Sequence, residues 1–377
     1  MSKHDIILSK NHQISGNKDV SVNTFIYNTH SSRFNIDWIV RNILVNDGIF
    51  VIQDEDALLF DSVDRVLDRK NYFAVNIDCA NPSDSIHINP FTFLRDTADI
   101  HLMFSNILFA LWDNQDPDIK AMSYLIDAFA SSVFYMFARN KEKQTLRTVA
   151  NMTKAINAYC TINDRTVPMY EALFTDNPNP DWMPKKYYMQ FAEIAKDRRD
   201  EVANKVYQLF RDIPEAFLEM TDTTDASLSA SLHFKTAFII SATSETKAIS
   251  KIVLTLLIKL IESTDMHLPT LVVIPSIDSS RLLAGLPRWL QHSQKDGIDY
   301  IIFSNELQSF LSTELTKQYM QSIKKNMAAT MLIHRNKEVE KAETTLSDEE
   351  LQIYHSSEYV ATVNIPSSNI SADDEVF

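Results

Sequence analysis

NTFIYNTHSSRFNIDWIVRNIL, residues 23–44, poses the question on which the fold turns. Residues 23–28 alternate in the manner of a β-strand, and DWIVRNIL sets Trp38, Ile39, Asn42 and Ile43 on one face of a helix. Asn35 or Asp37 is placed to cap that helix. A strand, a short polar loop and a helix make a frame suited to holding phosphate. A helix N-terminus presents unpaired N–H groups and the positive end of its dipole. A GxxxxGK loop also needs glycine for close backbone approach and lysine for charge. This loop has neither.

The shortage extends to the whole chain. The 377 residues contain four glycines, Gly16, Gly48, Gly285 and Gly297, where average usage gives roughly 26. No two lie five apart, so neither GxxxxGK nor GxGxxG occurs anywhere. The net charge of −14 argues against a duplex-binding surface, which relies on clustered Lys and Arg. The basic pairs Lys185–Lys186, Arg198–Arg199 and Lys324–Lys325 are dispersed and read as solvated helix faces. Cys79 and Cys160 stand outside any CxxC and are expected to be buried free thiols in a reducing compartment. No metal site is expected. MSYLIDAFASSVFYMFA, residues 122–138, is short for a membrane span and carries Asp127 in its middle. It reads as a buried helix. With no signal-like segment at the N-terminus, the expectation is a soluble, cytoplasmic chain without an integral membrane segment.

Outward from the quoted stretch, IFVIQ after Gly48 reads as a buried strand, about 56–70 as a helix and FAVNID as a strand. From 97 to 215 helical patterns dominate, over 97–113, 117–139, 145–158 and 187–212, with a turn-rich connector over 161–186. Aromatic residues at helical spacing, Phe129, Phe134, Tyr135 and Phe137, read as core. The β/α alternation returns with KTAFIISA, a helix with apolar positions from Ile249 to Leu260, then PTLVVIP, DYIIFS and a short final strand at 329–334. The organisation is therefore α/β, with a mostly parallel sheet flanked by helices and an inserted all-α domain. Residues 1–96 form the first part of the α/β domain, 97–215 the helical insertion, 216–345 the second part, and 346–377 a C-terminal segment with an acidic flexible tail. The two β/α parts must share one sheet, since neither alone has enough strands.

That layout, with several local strings, resembles the conjugative coupling proteins of type IV secretion, the TraG/VirD-like branch of the DNA-pumping P-loop ATPases, over about 5–340. NIDCANPSDSIHINPFTFL is similar to the family stretch ending in S-x-x-Y-N-P-F, with Ser85, Asn89, Pro90 and Phe91 in register. DIILSKN resembles its lead-in strand. IFVIQDEDALL resembles its V-x-x-D-P-K-G-E-L segment, keeping Asp54 and Leu59 but carrying Glu55, Asp56 and Ala57 where Pro, Lys and Gly stand. The resemblance implies a RecA-like motor fold, and it lays the quoted stretch on the Walker A segment. Asn28 and Arg33 then take the glycine positions, Phe34 the lysine position and Asn35 the Ser/Thr position that would hold magnesium. On the Walker B strand, Pro275 and Ser276 take the two acidic positions, with Asp278 three residues on. A later glutamine position falls on Ser304 or Asn305.

Phosphoryl transfer depends on charge stabilisation and positioning by these parts. Phe34 can neither neutralise phosphate nor ligate a cation, and Arg33 fills space a glycine leaves open. The expectation is a catalytically inactive relative that uses no cofactor and works by contact with proteins: an active coupling ATPase, other type IV secretion components, or copies of itself. A divergent but active DNA-translocating ATPase and a nucleic-acid adaptor using the helical insertion are the alternatives. Other chemistry is weaker. His30 beside Ser31 and Ser32 lacks a third partner for nucleophilic catalysis, His87 reads as a packed or surface ring, and the acidic run 54–56 fits no EF-hand spacing.

Overall fold

The computed structural model describes residues 4–7, 13–15, 22–28, 39–40, 42–54, 60–162, 164–265, 267–277, 282–304, 314–335, 350–356 and 359–364. The strands, in chain order, are β1 (Asp5–Ile7), β2 (Gln13–Ser15), β3 (Thr24–Asn28), β4 (Ile49–Asp54), β5 (Phe73–Asp78), β6 (Tyr159–Ile162), β7 (Arg165–Pro168), β8 (Thr236–Ser241), β9 (Thr270–Ile274), β10 (Ile298–Ser304), β11 (Ala329–Arg335), β12 (Glu350–Ser356) and β13 (Tyr359–Asn364). Nine of them form one sheet in the order β12-β13-β11-β3-β10-β9-β4-β8-β5. All pairings from β11 to β5 are parallel, and β13 and β12 are added antiparallel at the far edge. Strands from before and after the helical region interleave in this sheet, because β8 inserts between β4 and β5.

Apolar alternation explains why the sheet is covered on both faces. Along β4, Phe50 and Ile52 join one core with Ile39, Ile43, Val63 and Leu67. Ile49 and Val51 face the other core, with Leu256, Leu260 and Trp289. Central strands of a parallel sheet are buried on both sides, which is why IFVIQ reads as an unbroken apolar run. The second core does not stop at the helices lying on the sheet. Phe129, Phe174, Tyr188, Phe191 and Phe217 from the helical region belong to the same cluster.

Two contacts fasten these layers. Asn23, just before β3, is 1% exposed. Its Nδ2 donates to Ser293 Oγ (2.9 Å), Asn326 O (3.2 Å) and Leu290 O (3.4 Å), and its Oδ1 accepts from Tyr300 N at 3.0 Å. Its main-chain oxygen accepts from Ala328 N at 2.7 Å. The second contact joins helix Lys247–Ser263 to helix Thr97–Leu111: Lys259 Nζ donates to Asp99 Oδ1 at 2.6 Å while Arg95 Nε donates to Oδ2 at 3.0 Å. Burial pushes the Asp99 carboxyl up, but the bonds from Arg95 and Lys259 outweigh it and hold the group down at about 2.

Among the described glycines, Gly48 is the one whose place is forced on two counts. It adopts φ +135°, and a Cβ there would lie 2.2 Å from the Pro269 carbonyl oxygen. The backbone must pass that closely for Ile49 N to bond Pro269 O at 2.8 Å and start β4 in register.

Several expectations are corrected. The helix expected over 187–212 is two helices, Met183–Ala195 and Arg199–Arg211, broken where Lys196 takes φ 45°. Asp200 and Glu201 in the first turn suit the positive end of the second helix dipole. The connector over 161–186 contains the β6–β7 hairpin, closed through Asp164 at φ 61°, and a helix Met169–Thr175. Aspartate tolerates the left-handed backbone that such a turn needs, a local signal that composition alone presents as loop. The strand at 329–335 is not the last, since β12 and β13 follow it; residues 367–377 lie outside the described residues. Cys79 is buried, with burial and then Asp78 pushing its thiol up to about 12, but Cys160 is half-buried. Tyr135 is 41% exposed rather than core.

Asn23→Ala strands the Tyr300 N–H and removes the amide that Ser293, Leu290 and Asn326 share. A loss of about 2–4 kcal/mol is expected, read as a lower urea midpoint at unchanged slope. Asp99 has a folded value below its unfolded one of about 3.9. Its contribution, on the order of 2 kcal/mol, is complete above that value and lost as pH falls toward and through 2. Acid unfolding of Asp99→Asn is expected to lack this component.

Candidate functional site

The parallel order sets three strand ends side by side. β10 lies between β3 and β9, pairing Ser304 with Tyr27 on one side and Ile302 with Ile274 on the other. The C-terminal edge of a parallel sheet is where open α/β folds bind ligands. Asn28 ends β3 there, Ser304 ends β10, and Pro275 and Ser276 follow directly on β9. The fold thus brings Asn28, Pro275, Ser276 and Ser304 to one edge. Arg33, Phe34, Asn35 and Asn305 lie outside the described residues, as do His30, Glu55, Asp56 and Asp278.

The chemistry at β9 is legible. Ile274 is fully buried, Pro275 and Ser276 are half-buried, and Ile277 N donates to Phe303 O at 3.1 Å. The chain therefore keeps hold of β10 past the strand end, and the two positions beside it are a ring and a neutral hydroxyl. Neither binds a divalent cation as a carboxylate does. The nearest acidic strand end is Asp54, one strand over on β4, 4% exposed, its main-chain oxygen accepting from Ala242 N at 2.8 Å. Beside it Gln53 Nε2 donates to Ser250 Oγ at 2.7 Å, linking β4 to helix Lys247–Ser263. Among the described residues no group of three or more His, Cys, Asp or Glu is arranged to hold a metal ion, and no helix is long and apolar enough to cross a membrane.

The Ser85–Phe91 string is a joint. β5 is the sheet edge, and the Ser85 hydroxyl accepts from Asp78 N at 3.0 Å where that strand ends. Asn89 caps the turn Pro90–Thr92 through Oδ1, which accepts from Phe91 N at 3.0 Å. Its Nδ2 donates to Gln144 O at 2.8 Å and Asp222 O at 3.4 Å, and its N–H donates to Thr224 Oγ1 at 2.9 Å. Phe91 is buried against Phe104, ring centroids 5.8 Å apart. His87 is a half-exposed surface ring 3.7 Å from Asp225. Sequence reasoning found this string but not its partners at 144 and 222–225, which no periodicity marks. Asn89→Ala is expected to cost about 1–3 kcal/mol and to raise amide exchange near Gln144 and Asp222, measured by mass spectrometry, while amides of β9 and β10 stay protected.

No protein-family profile matches the chain, and neither does any curated protein. Solved structures do. Bacterial conjugative coupling protein TrwBdeltaN70, in a trigonal form with sulphate, superposes with a TM-score of 0.56 at 13% identity, over 90% of this chain and 77% of that one. Its unbound monoclinic form gives 0.56 at 10% identity, over 91% and 76%. Plasmid coupling protein TrwB with the GTP analogue GDPNP gives 0.54 at 11% identity, over 90% and 84%. At such identities what is shared is the fold: this chain has the RecA-like α/β architecture of the TrwB coupling proteins, a largely parallel sheet flanked by helices.

Proposed function

We propose that this chain is a catalytically inactive relative of the conjugative coupling proteins, one that keeps the motor frame as a scaffold for protein contacts. The observation that carries the reading is the end of β9, where the chain runs into Pro275 and Ser276 at the edge shared with β3 and β10. In a P-loop frame that edge needs a carboxylate for magnesium and a lysine for the phosphates. Here it offers a ring and a hydroxyl, and the loop after β3 carries Arg33, Phe34 and Asn35. A fold outlives its original site when contacts, rather than chemistry, keep it in use.

The partners on this reading are an active coupling ATPase, other type IV secretion components, or further copies of the chain. Its place is the cytoplasm, with recruitment to the inner face of the membrane by those partners. The glycine shortage fits, because positions no longer constrained by phosphate accept residues that cost less backbone entropy.

Purified protein is expected to show no saturable ATP–Mg binding by calorimetry. Its phosphate release should match a control carrying Arg33→Ala and Phe34→Ala. Micromolar binding together with hydrolysis above that control overturns the reading in favour of an active, divergent translocase. Salt-dependent binding of single-stranded DNA would favour a nucleic-acid adaptor instead.

A further inference from the structure

His101 and Asp127 lie outside the strand-end site and the Ser85–Phe91 joint. They connect helix Thr97–Leu111 to helix Ile119–Met136, with His101 Nδ1 2.6 Å from Asp127 Oδ2. The carboxylate side chain is 1% exposed and the imidazole 52%. The ring therefore stands between solvent and a carboxylate sealed from it. The other oxygen, Asp127 Oδ1, is buried with no hydrogen-bond partner among the described residues.

Among the described residues, Tyr187 from helix Met183–Ala195 lies close enough to feel the Asp127 charge and bonds Thr97, one turn before His101. Tyr124 and Tyr135 on helix Ile119–Met136 lie in turn near Tyr187, the Tyr124 and Tyr187 rings being 6.5 Å apart. Among the described residues no lysine or arginine acts on Asp127, so the imidazolium is its counter-charge. The same helix carries Asp99, bonded to Lys259. Helix Thr97–Leu111 is thus fastened to the α/β layer by Asp99 and to the helical bundle by His101.

We propose that His101 and Asp127 form a proton-dependent latch, closed when the imidazole is protonated and opening the seam between helices Thr97–Leu111, Ile119–Met136 and Met183–Ala195 when that proton leaves. The proton departs from the solvent-facing side of the ring, so exchange with bulk water requires no unfolding. Nδ1–H stays on Asp127, but the carboxylate then keeps one neutral hydrogen bond, with its second oxygen bare, which is costly in a buried setting. The bond to Asp127 draws the imidazole above its usual value against the pull of burial, while burial pushes the Asp127 carboxyl up against the pull of His101. The raised imidazole value makes the latch complete just below the ordinary histidine value of about 6.5, and it is lost as pH rises through the raised folded one. The raised Asp127 carboxyl sets the acid limit, since protonating it removes the counter-charge.

The test uses the full chain with 13C-labelled histidine, the His101 resonance being assigned by its loss in His101→Gln. Its titration is compared with amide exchange over residues 119–136 and 183–195, corrected for the intrinsic pH dependence of exchange. The wild type is expected to titrate above the ordinary value, with protection in both segments falling about tenfold for each unit by which the value is raised. Asp127→Asn should return His101 to the ordinary value and flatten the exchange profile. His101→Lys, cationic throughout, should hold protection over the same range. Titration of wild-type His101 at or below the ordinary value, or unchanged protection across its titration, overturns the latch. So does a pH response that survives in Asp127→Asn. If that variant does not fold, the wild type and His101→Lys decide between the same outcomes.

Discussion

The side-chain amide of Asn23 holds the middle of this molecule together. Sealed from water, it meets helix Leu286–Asp296 through Leu290 and Ser293, β10 through Tyr300, and the turn into β11 through Asn326. The main-chain oxygen of the same residue receives Ala328 N. A buried amide satisfied on both ends strengthens its surroundings, whereas one left half-satisfied weakens them. Because Asn23 opens β3, these bonds set the register of β3 against β10 and β11. That register decides which strand ends stand together at the opposite edge.

Those strand ends carry the proposed scaffold reading. A RecA-like frame places the end of β3, the end of β10 and the end of β9 within one edge, whatever residues occupy them. Phosphoryl transfer draws its rate from charges placed at that edge. Pro275, Ser276 and Ser304 offer little charge, and the buried carboxylate of Asp54 belongs to the next strand. The scaffold reading follows from that mismatch. The helical region fits it too, since it shares a continuous core with one face of the sheet and is locked to it by Asp99, Lys259 and Asn89. Polar ties of this kind transmit position between layers, and the His101–Asp127 pair adds one whose strength depends on a proton.

Much of the fold was legible in the sequence because period and burial coincide. Ile39, Asn42 and Ile43 are buried together, as their helical spacing indicates. The stripe from Ile249 to Leu260 is likewise inside. Elsewhere local signals were weak. The break at Lys196 carries no proline or glycine to signal it, only a positive φ at an exposed lysine. The β6–β7 hairpin hides in polar composition. Tyr135 stands six residues after Phe129, about 120° round helix Ile119–Met136 from it, and so lies at the surface.

The sequence alone determined the α/β class, the helical insertion's composition, the absence of any glycine-lysine phosphate loop, and the uncharged residues at positions 275 and 276. These are properties of residue type and short-range spacing. Only the tertiary structure decided that β10 separates β3 from β9, that Asn23 ties β3 to its neighbours, and that Lys259 meets Asp99 and His101 meets Asp127. Those pairings join residues that are, in the widest case, hundreds of positions apart, and no local periodicity encodes which buried polar group will find which partner. The sheet order chooses them.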